Sequence, residues 1–318
     1  KSQGLPMVGD FESSYSVLSN TGIPCSCSVS PGFVEKGRLD ENDTDAVALL
    51  GILGLRDFDP DLAVSVFESI TGRRNIRPYW TQLPQTEGRY DMSQFEMAAL
   101  GERFPVEEGI AGALKEVNEE MVGLPPFTLL PQFVQKMESL ERLTGKIVFE
   151  VVTPMSVQGE RLQDALENVA KAEGCRLLKG LTATDIDLTG GEASSVVLRS
   201  RSRAQKVTFS RLILATGDLV GGGLVPNGCG VEEAMSSLQV ETHCDASSVP
   251  SERNLRDVMQ SGLRTDSNLR LFTKEGTALK NVYGAGSLLS GFSLPTGVGL
   301  GGVLLTSWMA ALNAMGVN

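Results

Sequence analysis

The sequence predicts an α/β protein in which a doubly wound, Rossmann-like domain accompanies a second, mixed α/β domain. Three observations predict it. Asp45–Gly51 is an apolar run without alternation and a helical pattern follows it, which is typical of a buried strand in a βα unit. Two later apolar runs, Arg211–Gly217 and Asn281–Ser287, end in small residues. A glycine-rich stretch and an apolar helix then close the chain.

Composition and charge narrow the class of function. The 318 residues are 41% hydrophobic and 21% charged, which is typical of globular proteins and excludes disordered, collagen-like and coiled-coil chains. Lys and Arg total 28 against 39 acidic residues, so the formal net charge is −11. Nucleic-acid binding needs clustered positive charge, so this balance argues against nucleic acid as the main partner.

The cysteines and the single histidine give little support for a metal site. Five cysteines at irregular spacings favour free thiols in a reducing compartment over a disulfide framework. Cys25 and Cys27 form a C-x-C pair, but no second pair lies nearby and His243 is the only histidine. We therefore expect no metal. His243 also has no paired carboxylate pattern around it, so we assign no catalytic acid or base.

The first 145 residues are predicted to hold an irregular connecting segment, residues 1–45, and a mixed α/β cap domain, residues 46–145. Asp59 can cap the helix Pro60–Ile70, Pro60 suits its first position, and Gly72 suits its exit. A strand is predicted at Arg74–Leu83. Further helices are predicted at Met92–Leu100, Val106–Met121 and Gln132–Leu143, with Pro125 and Pro126 separating the last two.

Residues 146–318 are predicted to form the doubly wound domain. Its first elements are the strand Ile147–Val152, the helix Glu160–Glu173 ended by Gly174, and the strand Arg176–Lys179. Short strands follow at Thr182–Leu188, Ser195–Ser200, Gln205–Phe209 and Arg211–Ala215, with a hairpin turn at Thr189–Gly191. The remaining elements are a loop with one short helix at Pro250–Arg264, the strand Asn281–Gly284 and the helix Leu300–Met315.

Both ends of the sequence are unusual. The chain begins Lys1-Ser2-Gln3 with no initiator methionine and no signal-peptide pattern, so we expect further sequence upstream. No charged residue occurs from Asn281 to Asn318, and Gly299–Val317 is long enough to resemble a membrane span. Its many glycines and the lack of flanking basic residues favour instead a buried helix of an α/β core.

Small residues at two strand ends mark a candidate ligand site. Open α/β sheets bind ligands at the carboxyl ends of their strands, where small residues let the backbone approach a ligand closely. The residues concerned are Ala215, Thr216, Gly217, Ala285, Gly286 and Ser287. The Ala-Thr-Gly pattern alone is a weak signal, because many strands end this way.

A glycine cluster directly before the last helix strengthens this prediction. Its members are Gly297, Gly299, Gly301 and Gly302. At a helix start, unpaired N–H groups and the positive end of the helix dipole point towards an electron-rich ligand atom. A phosphate would satisfy these groups, and so would a flavin carbonyl, because the ring gains negative charge on reduction. The alternative is that the glycines only permit close packing of the helix on the sheet.

The order of these pieces resembles the flavin-binding half of two-dinucleotide-binding flavoproteins. A helix and a strand precede a run of β segments, then Ala-Thr-Gly, then Ala-Gly-Ser, then a glycine-rich final helix. Glu160–Gly180 is similar to the family's helix and strand on the adenine side of the cofactor.

Five segments narrow the resemblance to the B subunits of anaerobic glycerol-3-phosphate dehydrogenases. In chain order they are Ala48–Phe58, Thr153–Leu162, Leu214–Val225, Gly262–Arg270 and Asn281–Phe292. The match spans roughly residues 46–318, and the order of the segments is more specific than any single motif.

The sequence departs from this family at one motif. The family opens with a strand and a G-x-G-x-x-G turn that holds the pyrophosphate of the cofactor. Gly51 and Gly54 are too few and lie in the wrong place to match it. We therefore expect this sequence to be a fragment that begins after that unit, or the cofactor to be held without it. A chain without the turn would bind a full dinucleotide poorly, whereas FMN has no adenylate to lose, so FMN and FAD both remain open.

The resemblance implies roles for a few residues. Arg161 is predicted at a helix start, where a cation is unfavourable, so its expected partner is a cofactor phosphate or a carboxylate. Thr265 and Asp266 match a Thr-Asp pair that lies near the flavin in related enzymes. Ser287 stands where many of these flavoproteins place an acid for the ribityl hydroxyls.

The resemblance also implies a function. A complex of three subunits would oxidise glycerol 3-phosphate to dihydroxyacetone phosphate, with oxidation in a catalytic A subunit. This chain, carrying FMN or FAD, would relay electrons to an iron–sulfur C subunit and on to quinone. The complex would lie in the cytoplasm at the inner face of the cell membrane, held there by partner subunits.

Two rival functions remain open at this point. One is a fumarate-reductase-type oxidoreductase with its own substrate, for which Arg74, Arg77 and Arg264 are the candidate proton donor and carboxylate clamps. The other is a cofactor-free subunit that only docks its partners. The lack of an acid/base pair in the sequence favours an electron relay over a substrate dehydrogenase.

Overall fold

The computed structural model describes residues 4–10, 12–39, 46–153, 156–227, 230–235, 238–242, 258–292 and 299–317. The protein is a mixed α/β chain with two compact units, Lys1–Leu177 and Leu178–Asn318. The sequence placed a boundary at residue 145 instead. The boundary differs because strand Ile147–Glu150 and helix Val157–Ala172 are bound to the first unit.

The first unit begins with short strands where the sequence predicted an irregular segment. One antiparallel pair joins Met7–Gly9 to Val29–Pro31. A three-stranded antiparallel sheet has the order Pro24–Cys27, Tyr15–Leu18, Arg38–Leu39. The helical turn Gly32–Glu35 lies between Val29–Pro31 and Arg38–Leu39 in the chain. These strands are two to four residues long, too short for an alternating pattern to predict them.

Four parallel strands form the core of the first unit. Their spatial order is Ile76–Thr81, Val47–Ile52, Met121–Leu124, Ile147–Glu150. Every residue of Val47–Ile52 is buried, as the sequence predicted for a strand covered on both faces. The chain leaves this strand first to one side and later to the other, so the order is doubly wound. Three of the four strands of this sheet thus lie in the predicted cap domain, and the fourth, Ile147–Glu150, lies just beyond it.

Local signals explain the helices of the first unit. In helix Pro60–Thr71 the Asp59 carboxylate accepts the Leu62 N–H at 3.0 Å, and Gly72 ends the helix with φ 72°, which confirms the predicted caps. The other helices are Gln94–Arg103, Val106–Leu114, Phe133–Thr144 and Val157–Ala172, with short 3-10 turns at Pro84–Thr86 and Leu130–Gln132.

Two sequence predictions about elements are wrong. The helix predicted over Val106–Met121 ends at Leu114. Met121–Leu124 is instead a strand, because its backbone pairs with two parallel strands of the sheet. The predicted strand Arg176–Lys179 has no β partner within the described residues, and Leu177 and Leu178 remain exposed.

The second unit contains one parallel pair of strands among its described residues. Its central sheet has the order Leu212–Leu214, Ala278–Gly284, Arg270–Phe272, parallel in the first pair and antiparallel in the second. The other sheets are Thr182–Thr189 with Glu192–Arg199 and Ala204–Thr208, Leu224–Asn227 with Gly230–Glu233, and Val240–Glu241 with Gly262–Leu263. Gly190 and Gly191, at φ 61° and 80°, make the predicted hairpin turn. The described residues of the second unit therefore do not confirm a Rossmann-like sheet over residues 146–318.

Helix Gly299–Met315, named here the final helix, is less buried than its sequence predicts. Ala310 and Ala314 pack against Tyr283 and Ala285, whereas the opposite side exposes apolar side chains. The exposed side chains include Leu300, Leu304, Leu305, Trp308 and Met315. Among the helices described, none has the length and apolarity required to cross a bilayer.

Candidate functional site

The two strand ends that the sequence singled out lie side by side in the second unit. Leu214 pairs with Gly284 in the parallel register, and the Ala285 N–H donates to the Leu214 carbonyl at 2.9 Å. Because parallel strands end at the same edge of a sheet, the Ala-Thr-Gly and Ala-Gly-Ser segments both leave the sheet there.

The Ala215-Thr216-Gly217 segment leads into a tight glycine loop. Gly217 has φ 82°, and the Asp218 carboxylate accepts the N–H groups of Val220 and Gly221 at 2.9 and 3.1 Å. A Cβ on Gly223 would lie 2.5 Å from Thr216 Oγ1, so only glycine fits there. Thr216 is exposed, and its hydroxyl has no hydrogen-bond partner in the part of the chain that the structure describes.

The Ala285-Gly286-Ser287 segment is fixed by the final helix. Gly286 has φ 74°, and its N–H donates to Thr306 Oγ1 at 2.9 Å. The Ser287 side chain is half-buried, and its hydroxyl has no partner among the residues described. Each of the two strand ends therefore carries one such hydroxyl, Thr216 on one and Ser287 on the other. They are named here the free hydroxyls, because neither has a partner within the described ranges.

The glycine cluster lies at the start of the final helix. Gly299, Gly301 and Gly302 belong to its first turn, while Gly297 lies outside the described residues. A Cβ on Gly301 would meet no atom of the described residues within 4 Å, so packing against them does not explain this glycine. The helix packs against the 3-10 turn Gly286–Leu288, which brings the cluster close to the two strand ends.

Asp266 orders a turn beside this edge. Its carboxylate accepts the N–H groups of Asn268 and Arg270 at 3.0 and 2.9 Å and pairs with the Arg270 guanidinium at 2.7 Å. Partial burial raises the pKa of Asp266, but the hydrogen bonds from Arg270 and Asn268 outweigh burial and hold that pKa below its ordinary value. The carboxylate is thus engaged in the turn.

That turn is tied to the candidate site. The Gly284 N–H donates to the Leu269 carbonyl at 2.9 Å, and the Asn313 side chain of the final helix donates to the Asn268 carbonyl at 2.9 Å. Just before it, the Leu263 carbonyl accepts the Ser290 N–H at 3.1 Å. The Gly-Leu-Arg-Thr-Asp motif and the Ala-Gly-Ser motif, separate in sequence, are therefore neighbours.

Arg161 lies in the first unit, fully enclosed. It is 1% exposed, pairs with both oxygens of Glu150 at 2.6 and 2.9 Å, and donates through Nε to the Thr128 carbonyl at 2.9 Å. Its guanidinium also stacks 3.8 Å from the Phe133 ring centroid. Of the two partners expected from the sequence, a phosphate or a carboxylate, the structure shows the carboxylate.

The remaining candidates are dispersed. Arg74 and Arg77 belong to the first unit, where Arg77 Nε lies 3.7 Å from Glu119; Arg264 belongs to the second, with Nε 3.6 Å from Glu241. His243, Cys229 and Cys244 lie outside the described residues.

Cys25 and Cys27 lie on one strand of the first unit, and burial raises the pKa of both thiols. No group of three or more metal-ligating side chains occurs within the ranges that the structure covers.

Two residues that matter here were not predicted from the sequence. Thr306 gave one signal, a hydroxyl in the middle of an uncharged apolar helix. Asn281 gave none: its amide oxygen accepts the Ala193 N–H at 2.9 Å, and its amide nitrogen donates to the carbonyls of Ala193 and Ser210 at 2.7 and 3.0 Å. It thereby joins the antiparallel sheet to the central sheet.

Comparison with known proteins identifies relatives that share one name. The chain is 26% identical over 288 residues to the probable B subunit of anaerobic glycerol-3-phosphate dehydrogenase from Halobacterium salinarum, covering 86% of this chain and 66% of that protein. It is 26% identical over 321 residues to the B subunit of anaerobic glycerol-3-phosphate dehydrogenase from Yersinia enterocolitica, covering 96% and 73%. The Yersinia pseudotuberculosis protein of the same name is 27% identical over 277 residues, covering 82% and 62%.

These relatives confirm the resemblance carried by the motifs. The chain spans slightly less than two thirds of the Halobacterium relative. No family model matches the chain, and no solved structure matches it.

Proposed function

We propose that this chain is the flavin-holding subunit of a complex that oxidises glycerol 3-phosphate to dihydroxyacetone phosphate. The observation that carries the proposal is the edge of the second unit, where the two free hydroxyls and a glycine-rich helix start adjoin two parallel strand ends. The relatives, which are named as B subunits of anaerobic glycerol-3-phosphate dehydrogenase, support the choice of reaction.

The donors at this edge suit a flavin. Hydroxyls and N–H groups are present, and the sequence has no charged residue after Lys280. A bound flavin supplies the redox chemistry, accepting two electrons and passing them on. Thr216 and Ser287 would donate hydrogen bonds to it, and the first turn of the final helix would stabilise negative charge on the reduced ring. The open space at Gly301 lets the backbone approach the cofactor.

In this proposal the chain is a relay. Two electrons would leave glycerol 3-phosphate at a catalytic A subunit, and the flavin held by this chain would supply the relay to an iron–sulfur C subunit and then quinone. The two protons of the alcohol leave at the A subunit, so this chain needs no acid/base pair. The complex would be cytoplasmic, held at the inner face of the membrane by its partner subunits.

The first experiment is to identify the chromophore. The chain purified with its partner subunits should show the visible absorbance bands of a flavin, and mass spectrometry of the released molecule will distinguish FMN from FAD. A well-folded complex that stays colourless and takes up neither FMN nor FAD would contradict the proposal and favour a docking subunit.

The second experiment separates relay from direct catalysis. Glycerol 3-phosphate should bleach the flavin only when the A subunit is present, because substrate is oxidised there. If fumarate reoxidises the reduced flavin of this chain without the partner subunits, the fumarate-reductase-type alternative is favoured instead.

A further inference from the structure

We infer that Thr306 is a positioning residue for the flavin site: its hydroxyl fixes the turn at Gly286 and so sets the direction of Ser287. The inference rests on the proposed function and goes one step beyond it, because no motif pointed to Thr306.

The hydroxyl of Thr306 both accepts and donates a hydrogen bond. Its oxygen accepts the Gly286 N–H at 2.9 Å, while its proton points back to the Gly302 carbonyl at 2.7 Å or the Val303 carbonyl at 3.2 Å. The turn at Gly286 is therefore linked to the backbone of the helix through the Thr306 hydroxyl.

The turn cannot relax easily in other directions. Gly286 is buried and has a left-handed backbone conformation, φ 74°, which a residue with a side chain rarely adopts. The preceding N–H, that of Ala285, is already used by Leu214. The backbone N–H groups of Ala285 and Gly286 are thus both bonded within the protein. Because neither residue has a polar side chain, Ser287 carries the first side-chain donor after the strand. Removing the acceptor for Gly286 would leave a buried N–H unpaired and displace Ser287.

The test compares Thr306→Val, which keeps the shape and removes the hydroxyl, with Thr306→Ser, which keeps the hydroxyl. Ser307→Val is the matched control on the neighbouring residue, whose hydroxyl has no partner in the described structure. We expect Thr306→Val to weaken flavin binding about tenfold. Its bound flavin should also show a shifted visible spectrum, because the donor geometry changes. Thr306→Ser and Ser307→Val should bind flavin as the wild type does.

A second readout needs no flavin. Hydrogen exchange of the Gly286 amide, followed in the flavin-free chain, should be faster in Thr306→Val and unchanged in the other two variants. If Thr306→Val fails to fold, Gly286→Ala disturbs the same turn from its other partner and should weaken flavin binding as well.

The outcomes separate the two proposals. If the wild-type complex binds flavin and Thr306→Val (or Gly286→Ala in its place) binds it equally well with the same spectrum, the inference about Thr306 is wrong and the proposed function stands. If Thr306→Val and Thr306→Ser lose flavin equally, keeping the hydroxyl does not preserve flavin binding, which also overturns the inference. If the wild-type complex binds no flavin, both proposals fail, and exchange at Gly286 then reports a purely structural bond.

Discussion

At the scale of residues, the turn Asp266–Arg270 shows how one carboxylate can maintain an unfavourable backbone next to a site. Leu269 has φ 60°, a left-handed conformation that costs a side-chain-bearing residue roughly 1–2 kcal/mol. The Asp266 carboxylate offsets this cost by accepting two N–H groups and pairing with Arg270. The charged form of Asp266 is therefore the form that stabilises the turn.

This arrangement predicts a pH-dependent stability. The folded pKa of Asp266 lies below its ordinary value of 3.8, so its contribution is fully present above that value and is lost as the pH falls through the folded pKa. Asp266→Asn should lower the unfolding free energy of the second unit by about 1–3 kcal/mol at pH 7. Urea unfolding at pH 7 and in steps towards pH 2 measures it.

The control for this prediction is Asp185→Asn, a change at an exposed aspartate of the same unit. Its stability should differ little from wild type at either pH. A difference between wild type and Asp266→Asn that stays constant down to pH 2 would show that the charge of Asp266 is not what stabilises the turn.

Arg161 marks what a sequence can say about single residues. Its place near a helix start predicted a cofactor phosphate or a carboxylate as partner, and the structure shows the carboxylate of Glu150, eleven residues earlier on a different element. Two of its other contacts, Thr128 and Phe133, come from still another part of the chain. Such convergence is decided by tertiary packing, which local periodicity does not encode.

At the scale of elements, local signals predicted well where caps and continuous apolar runs were strong. Asp59, Gly72 and the buried strand Val47–Ile52 are examples. Prediction failed where an apolar segment suited two structures: Met121–Leu124 continues a helical pattern, yet fills a gap between two parallel strands. Pairing with distant strands decided the outcome there.

The hydrogen bonds of Asn281, which link the two main sheets of the second unit, are a second feature that no sequence pattern predicted. Their contribution to stability can be tested. Asn281 bonds to both the N–H and the carbonyl of Ala193, as a neighbouring strand would. Asn281→Ala should lower the unfolding free energy by about 2 kcal/mol, because two carbonyls and one N–H lose their partner. Hydrogen exchange of the Ala193 amide should become faster in the variant.

Lys280→Ala is the control for these hydrogen bonds, since Lys280 is exposed and its pairing with Glu192 lies at the surface. Surface pairs contribute between zero and about 1 kcal/mol. Equal losses of stability in the two variants would mean that Asn281 acts no differently from an exposed ion pair.

At the scale of the whole molecule, the question is which unit holds the cofactor. Doubly wound sheets bind ligands at the carboxyl edge of their strands, and the first unit has such a sheet. Its edge is filled by the protein itself. Gln94 is 5% exposed, and its amide oxygen accepts Thr153 Oγ1 at 3.0 Å and the Val157 N–H at 3.2 Å. The backbone N–H of Gln94 donates to the Asp57 carboxylate at 2.7 Å.

Three of the helices that follow strands of this sheet also have capped starts, whereas the helix Phe133–Thr144 has no side-chain cap. Asp59, Ser93 with Glu96, and Ser156 cap the three helices with side chains of the protein. No helix start among these three offers unpaired N–H groups in the way that anion binding requires, and the carboxylates nearby would repel a phosphate. The edge of the second unit differs, because the free hydroxyls of Thr216 and Ser287 have no partner among the described residues.

These contrasting edges predict that stability and flavin binding separate between the units. Gln94→Ala should lower the unfolding free energy by about 1–3 kcal/mol, because the Thr153 hydroxyl and the Val157 N–H lose a buried partner, yet leave flavin affinity unchanged. The double variant Thr216→Ala, Ser287→Ala should keep its unfolding free energy within about 0.5 kcal/mol, because neither hydroxyl has a partner in the described structure, and should bind flavin at least tenfold more weakly. Urea unfolding and flavin titration of both variants measure the four quantities. A loss of flavin in Gln94→Ala with full binding in the double variant would place the cofactor in the first unit and reverse the assignment, because the edge that now looks filled would then be the one that opens to bind.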